Sequence, residues 1–219
     1  MHTSSLLLRT EYWDDKNITP STDMENLVRG NADGVLTNGA AWAWDSECQK
    51  WGVEFDGDND HVNFGNLLLS GRQCWIHLVG RFDLLSHDQV FAGHVDTGGL
   101  VFYVFGLNGN NFGWTLSLAG GLYAYETGAL TTGYHVIDGT INIASATGLR
   151  VYIDGVEISY DNQDDPTGIS NLGLDGDFYF GYTLGSWHGA CFKGIFASYA
   201  PDSTIISQLA AIEMRRMGI

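Results

Sequence analysis

Residues 51–66 read WGVEFDGDNDHVNFGN. Two short alternations of apolar and polar residues, WGVEF and HVNF, flank a run built almost wholly from Asp, Asn and Gly. Alternation with a period of two places successive side chains on opposite faces of a β-strand. Asp, Asn and Gly supply the backbone freedom and local hydrogen bonds of a turn. The segment therefore predicts strand, turn, strand, with Phe55 ending one strand on the core side and Val62 and Phe64 resuming the alternation. Asp56, Asp58, Asn59 and Asp60 also raise the question of Ca²⁺. Read as an EF-hand loop, residues 56–67 carry His61 where the sixth position needs Gly and Leu67 where the twelfth needs Glu. The run is architecture first.

The same pattern recurs along the chain. Strands are predicted at 5–9, 73–82, 89–95, 100–107, 114–118, 122–125, 134–144, 149–153, 156–160, 178–182 and 190–199. In LRVYID, Leu149, Val151 and Ile153 share one face; in WTLSL, Trp114, Leu116 and Leu118 do. Turn dipeptides punctuate these runs: Asp-Gly at 56–57, 138–139 and 154–155, Gly-Asp at 176–177, Asn-Gly at 38–39 and 108–109, Gly-Gly at 98–99 and 120–121. A dozen short strands with such connections predict an all-β fold, an antiparallel two-sheet jelly-roll sandwich. The one helical segment is the tail, PDSTIISQLAAIEMRRMGI. Asp202 or Ser203 is placed to cap it, Gly218 to end it, and Ile205, Leu209, Ile212 and Met217 recur on one side. No repeat or linker divides the chain. We expect an N-terminal strand and arm over 1–26 and a single jelly-roll domain over 27–219.

Composition agrees with that reading. The 219 residues include 29 Gly but 3 Pro, and 19 Asp against 7 Glu, a bias toward turns over helix faces. The formal net charge of −16 argues against nucleic acid, whose phosphates it would repel, and against an anionic membrane surface. Cys48, Cys74 and Cys191 are far apart, without metal-ligand spacing, and Cys74 and Cys191, inside apolar strand patterns, read as buried thiols. The opening MHTSSLLLRTEYWDDK has no basic n-region and no long apolar run, so synthesis in a cytoplasm without a signal peptide is expected.

At this point the residues resemble a family. NLVRGNADGVLTNGAAW (27–42) and WGVEFDGDNDHVNFGN (51–66) look like the opening of a LamG-like jelly roll of the concanavalin A-like lectin/glucanase superfamily. LRVYIDGVEIS (149–159) is similar to its "LxLYVDGxxV" hairpin, and FYFGY (178–182), FKGIFASYA and the tail helix resemble its closing segment. The likeness runs in order over roughly 27–210. It departs at Ile195–Phe196–Ala197, where relatives carry an Asp that helps hold a structural Ca²⁺.

The resemblance implies a fold shared by lectins, hydrolases, lyases and inert modules. The glucanase branch draws two carboxylates from one strand, as E-x-D-x-x-E or E-x-D-x-E; the nearest run here, EISYD, lacks the middle Asp. The Gln-x-His of the lyase branch is not met by Gln73 and His77. No enzyme is expected. For sugar binding, QCWIHLVGRFD puts Trp75, His77, Val79 and Arg81 on one face and Cys74, Ile76, Leu78 and Phe82 on the core face. Tyr103, Trp114 and the Gly-flanked Trp187 and His188 are candidates to join the first face, Trp187 as the most exposed. The alternative for these aromatics is packing between sheets. Asn31 and Asp33 form the candidate Ca²⁺ loop, against solvated turns; no other cofactor is expected. The resemblance further implies a non-catalytic display or binding module on a bacteriophage virion, as a capsid-decoration, head-fibre or tail-associated protein. It would contact other virion proteins and host-surface glycans as part of an oligomer or larger assembly. A free lectin-like module is the alternative, and a glycan-cleaving enzyme the third reading.

Overall fold

The computed structural model describes residues 6–11, 13–18, 20–67, 69, 71–85, 88–96, 101–116, 121–169, 172, 176–182 and 187–219, for residues 96 and 101–104 the backbone only. Two antiparallel sheets face each other. One runs β14 (Val156–Glu157), β13 (Leu149–Ile153), β12 (Gly133–Asn142), β7 (Gln73–Phe82), β17 (His188–Ala197), β5 (Lys50–Asp56), β4 (Ala41–Asp45), and β1 (Leu6–Arg9) also pairs with β17. The other runs β15 (Asn162–Gln163), β11 (Leu122–Thr127), β10 (Asn111–Leu116), β9 (Val101–Asn108), β8 (Gln89–Asp96), β16 (Gly176–Gly181), β6 (His61–Asn66), β3 (Gly34–Thr37), β2 (Asp23–Met24). The fold is the antiparallel two-sheet sandwich that the alternation predicts. Short strands at 34–37 and 41–45, and the pair at 23–24, were not legible.

The alternation decides the core. Cys74, Ile76, Leu78 and Phe82 of β7 point between the sheets, as do Leu149 and Val151 of β13. Phe64, Phe91, Phe105, Phe112, Phe178 and Phe180 meet them from the other sheet. Burial of so much aromatic area is the main source of stability, at about 25 cal/mol per Å² of apolar surface removed from water. The run at 55–60 is a corner that carries the chain from β5 in one sheet to β6 in the other. Its acids serve the backbone: Asp56 Oδ1 accepts from the Asp58 N–H at 2.9 Å, and Asp60 Oδ2 from the Asp56 N–H at 3.0 Å.

Two turn assignments are corrected. Asp138–Gly139 lies in the middle of β12, and Gly176–Asp177 opens β16. Gly139 is there for space: a Cβ on it would stand 2.5 Å from the Trp114 ring. Asp154–Gly155 does make the expected hairpin, with both residues at positive φ. The Gly-Gly pair at 98–99 lies outside the described residues.

The tail helix, α1 (Ser203–Met217), is capped by Asp202, whose carboxylate accepts from the Ile205 N–H, and ends at Gly218 in the left-handed region. Its buried stripe is Ile206, Ala210, Glu213 and Met217, while Ile205 and Ile212 are exposed. The expected stripe is thus corrected by one residue, about 100° of helix rotation. The cause lies beneath it. A bulge between Cys191 and Lys193 turns both Phe192 and Lys193 toward the helix. Lys193 Nζ sits 3.0 Å from Glu213 and 3.2 Å from Glu11. Val79, Val136, Ala190, Phe192, Ala210 and Met217 form a second small core around this pair.

Candidate functional site

That second core removes most of the expected sugar face. Trp75 and His77 do point away from the main core, but both are buried on the outer side of the sheet. Trp75 Nε1–H donates to Asp138 Oδ1 at 2.8 Å, and His77 Nδ1 lies 2.9 Å from the same oxygen. Arg81 is half-buried and already held by carboxylates: Asp83 at 2.9 Å, Glu54 at 3.0 Å and Asp45. Trp114 lies between the sheets, tilted against Phe105, with Nε1–H donating to the Arg150 carbonyl at 3.1 Å. Trp187, expected to be the exposed one, is fully buried. It stacks on Phe55 at 5.6 Å and Phe82 at 4.9 Å, over Gly80, and its Nε1–H donates to the Arg81 carbonyl. Gly189 leaves the room that this packing needs: a Cβ on it would stand 3.0 Å from Trp187 Nε1. The side chain of Tyr103 lies outside the described residues.

Among the described residues, Trp75 and His77 thus meet on Asp138, and Arg81 and His188 also come together. Arg81 and His188 line a pocket of about 310 Å³ with Glu54, Asp56, Asp60 and Asp83. Burial pushes the Asp60 carboxyl above its ordinary range. The cation of this pocket, Arg81, is already committed to three acids. The Asn31/Asp33 loop is structural. Asp33 Oδ1 accepts from the Asn26 N–H at 2.8 Å, and the Asn31 amide donates to the Leu7 carbonyl at 2.6 Å, tying the loop to β1. Among the described residues no group of three or more His, Cys, Asp or Glu is arranged to hold a metal ion. Burial raises all three thiols, Cys48 to about 12, so they stay protonated and inert at neutral pH.

A different site emerges on the outer face of the nine-stranded sheet. Cross-strand pairing aligns Gly106, Gly113, Tyr125 and Asn162 in one row across β9, β10, β11 and β15. Neighbouring rows pair Thr115 with Tyr123, and Asn108 and Thr127 with Asn111. The paired glycines leave a trough that the two tyrosines overlook, with a volume of about 210 Å³. Tyr123 is exposed and Tyr125 half-buried. Thr127 Oγ1–H donates to Asn111 Oδ1 at 2.9 Å and fixes that amide. Gln163 turns inward to the Leu149 carbonyl at 2.7 Å, so Asn162 faces the trough. The edge is locked by carboxylates: the Thr127 N–H donates to Asp161 and the Tyr123 N–H to Asp164, each at 2.8 Å. The Thr127 bond holds the Asp161 carboxyl below its ordinary range.

Chemically this is a platform of aromatic faces bordered by amides that both donate and accept. Among its described lining residues there is no acid–base pair. Of the residues predicted for sugar binding, Trp114 is among its lining; the rest of the lining has no sequence signal beyond two tyrosines two apart in LYAYET.

No protein-family profile and no curated protein sequence matches the chain. Solved structures do. The Trypanosoma rangeli sialidase in complex with sialic acid superposes with a TM-score of 0.68 at 11% identity over 97% of this chain. The binding domain of Paraclostridial Mosquitocidal Protein 1 does so with a TM-score of 0.70 at 12% identity over 96%. The botulinum neurotoxin serotype D ligand-binding domain, in complex with N-acetylneuraminic acid, gives 0.66 at 12% over 96%. The chain spans 33% of the sialidase and about half, 52% and 51%, of the two toxin binding domains. These likenesses establish a shared sandwich fold.

Proposed function

We propose that the chain is a non-catalytic glycan-binding module that takes carbohydrate on the tyrosine–amide trough of its nine-stranded sheet. The observation that carries the reading is the alignment of Tyr123 and Tyr125 beside the Gly106–Gly113 pair, ringed by Asn108, Asn111, Thr115 and Asn162. A pyranose has an apolar C–H face that stacks on an aromatic ring and hydroxyls that pair with side-chain amides. The trough is smaller than the roughly 300–1,000 Å³ of enclosing small-molecule pockets, which suits one or two sugar units lying on an open platform. Toxin binding domains of the same fold support the class without defining the ligand. The test is a glycan array on the intact chain, followed by titration of any hit against Tyr123→Ala and Tyr125→Ala. Weaker binding in both, with melting temperature retained, supports the site; an array silent throughout refutes it. Display on a virion rests on the sequence resemblance, and co-purification with capsid or tail proteins tests it separately.

A further inference from the structure

The placement of the basic residues narrows the ligand class. Ten Lys and Arg are present, and none lies in any strand of the nine-stranded sheet. From residue 82 to 149, which includes β8 through β12, the chain has no Lys or Arg at all, and from 151 to 192 it again has none. The nearest in sequence, Arg150, belongs to β13 of the opposite sheet and pairs there with Glu157 at 3.4 Å. Arg81 is on that opposite sheet too, committed to its three acids.

Acids, by contrast, surround the trough. Asp161 and Asp164 line the β11 edge, and their bonds to backbone N–H groups anchor both carboxylates there. Asp88 accepts from the Gly109 N–H at the turn between β9 and β10. The trough itself is lined by neutral groups. A carboxylate-bearing sugar would enter a negative field with no cation to receive it, and each acid acts over about one Debye length.

We infer that the trough selects uncharged glycans and rejects those ending in an acidic sugar, unlike the N-acetylneuraminic acid bound by the serotype D toxin domain. This rests on the glycan-binding reading above and adds the sign of its selectivity.

The experiment compares one neutral oligosaccharide hit with the same glycan capped by N-acetylneuraminic acid, at low and high salt. The capped form should bind about tenfold more weakly at low salt, the size expected from a few carboxylates across water, and the gap should shrink as salt screens them. Asn110→Arg adds a cation at the exposed turn beside the trough, where only the residue's carbonyl is engaged, by the Gly128 N–H. It should narrow the low-salt gap. Capped glycans binding as well as or better than neutral ones, with neutral binding intact, overturns the selectivity and leaves the reading standing. Binding of neither form removes the reading and the selectivity together.

Discussion

His77 Nδ1 stands 2.9 Å from Asp138 Oδ1, and neither side chain is exposed to solvent. Trp75 Nε1–H can only donate, so this oxygen accepts from it as well. The second polar atoms, His77 Nε2 and Asp138 Oδ2, find no hydrogen-bond partner among the described residues. Such a cluster costs desolvation and holds only while its internal bonds are intact. Asp138→Ala strands two buried donor groups. It should destabilise the domain by about 2–5 kcal/mol, lowering the melting temperature by roughly 5–15 °C in calorimetry. A change within about 1 °C would show that water or rearrangement satisfies the site.

Trp187 and Tyr123 should separate stability from binding. Trp187→Ala empties the stack between Phe55 and Phe82 and should cost about 3–5 kcal/mol, read in urea as a lower midpoint. Tyr123→Ala removes an exposed ring and should change stability by no more than about 0.5 kcal/mol. It should weaken glycan binding by roughly two- to twelvefold, the worth of one stacking contact.

The Lys193–Glu213 pair anchors α1 to the sheet with both side chains almost fully buried. Lys193→Ala leaves Glu213 buried beside Glu11 and should destabilise by about 3–5 kcal/mol. The double variant Lys193→Met/Glu213→Leu, apolar on both sides, should recover most of that loss. A double variant no more stable than the single one would refute this account of the anchor.

Acid should act through Asp45. Burial pushes its carboxyl up, but hydrogen bonds from Tyr134 and Arg81 and the N–H groups of Cys48 and Glu47 outweigh it and hold the group below its ordinary range. A depressed folded-state value stabilises the fold above the ordinary carboxylate pKa of about 3.9, and that contribution is lost as pH falls through the folded value. Melting temperature should therefore drop as pH falls below about 4. Asp45→Asn should flatten this drop while lowering stability at neutral pH. An unchanged acid profile in the variant would remove Asp45 from the account.

Sheet faces were legible where alternation is strict, as in β7 and β13, and the helix caps at Asp202 and Gly218 followed from local chemistry. The outer face of β7 was misjudged because its mixed polarity is the same whether it meets water or a polar helix. Asp138–Gly139 has turn chemistry but sits mid-strand, since Trp75, His77 and Trp114 fill the space that these two residues leave. The trough was invisible for a different reason. Gly106, Gly113, Tyr125 and Asn162 are scattered over the sequence and become neighbours only through strand order, which no local pattern encodes.

The strand order also governs how the molecule can assemble itself. β7 is flanked by β12 and β17, with Trp75 paired to Ala197 and Phe82 to Gly189. The middle of the eight-stranded sheet is thus closed by a strand made long after β7. Ordering so long a loop precedes any reward from the pairing, which places folding in the slow, millisecond-to-second regime of non-local β topologies. Until β17 emerges during synthesis, one side of β7 stays an open apolar edge, and the nascent chain depends on shielding over that interval.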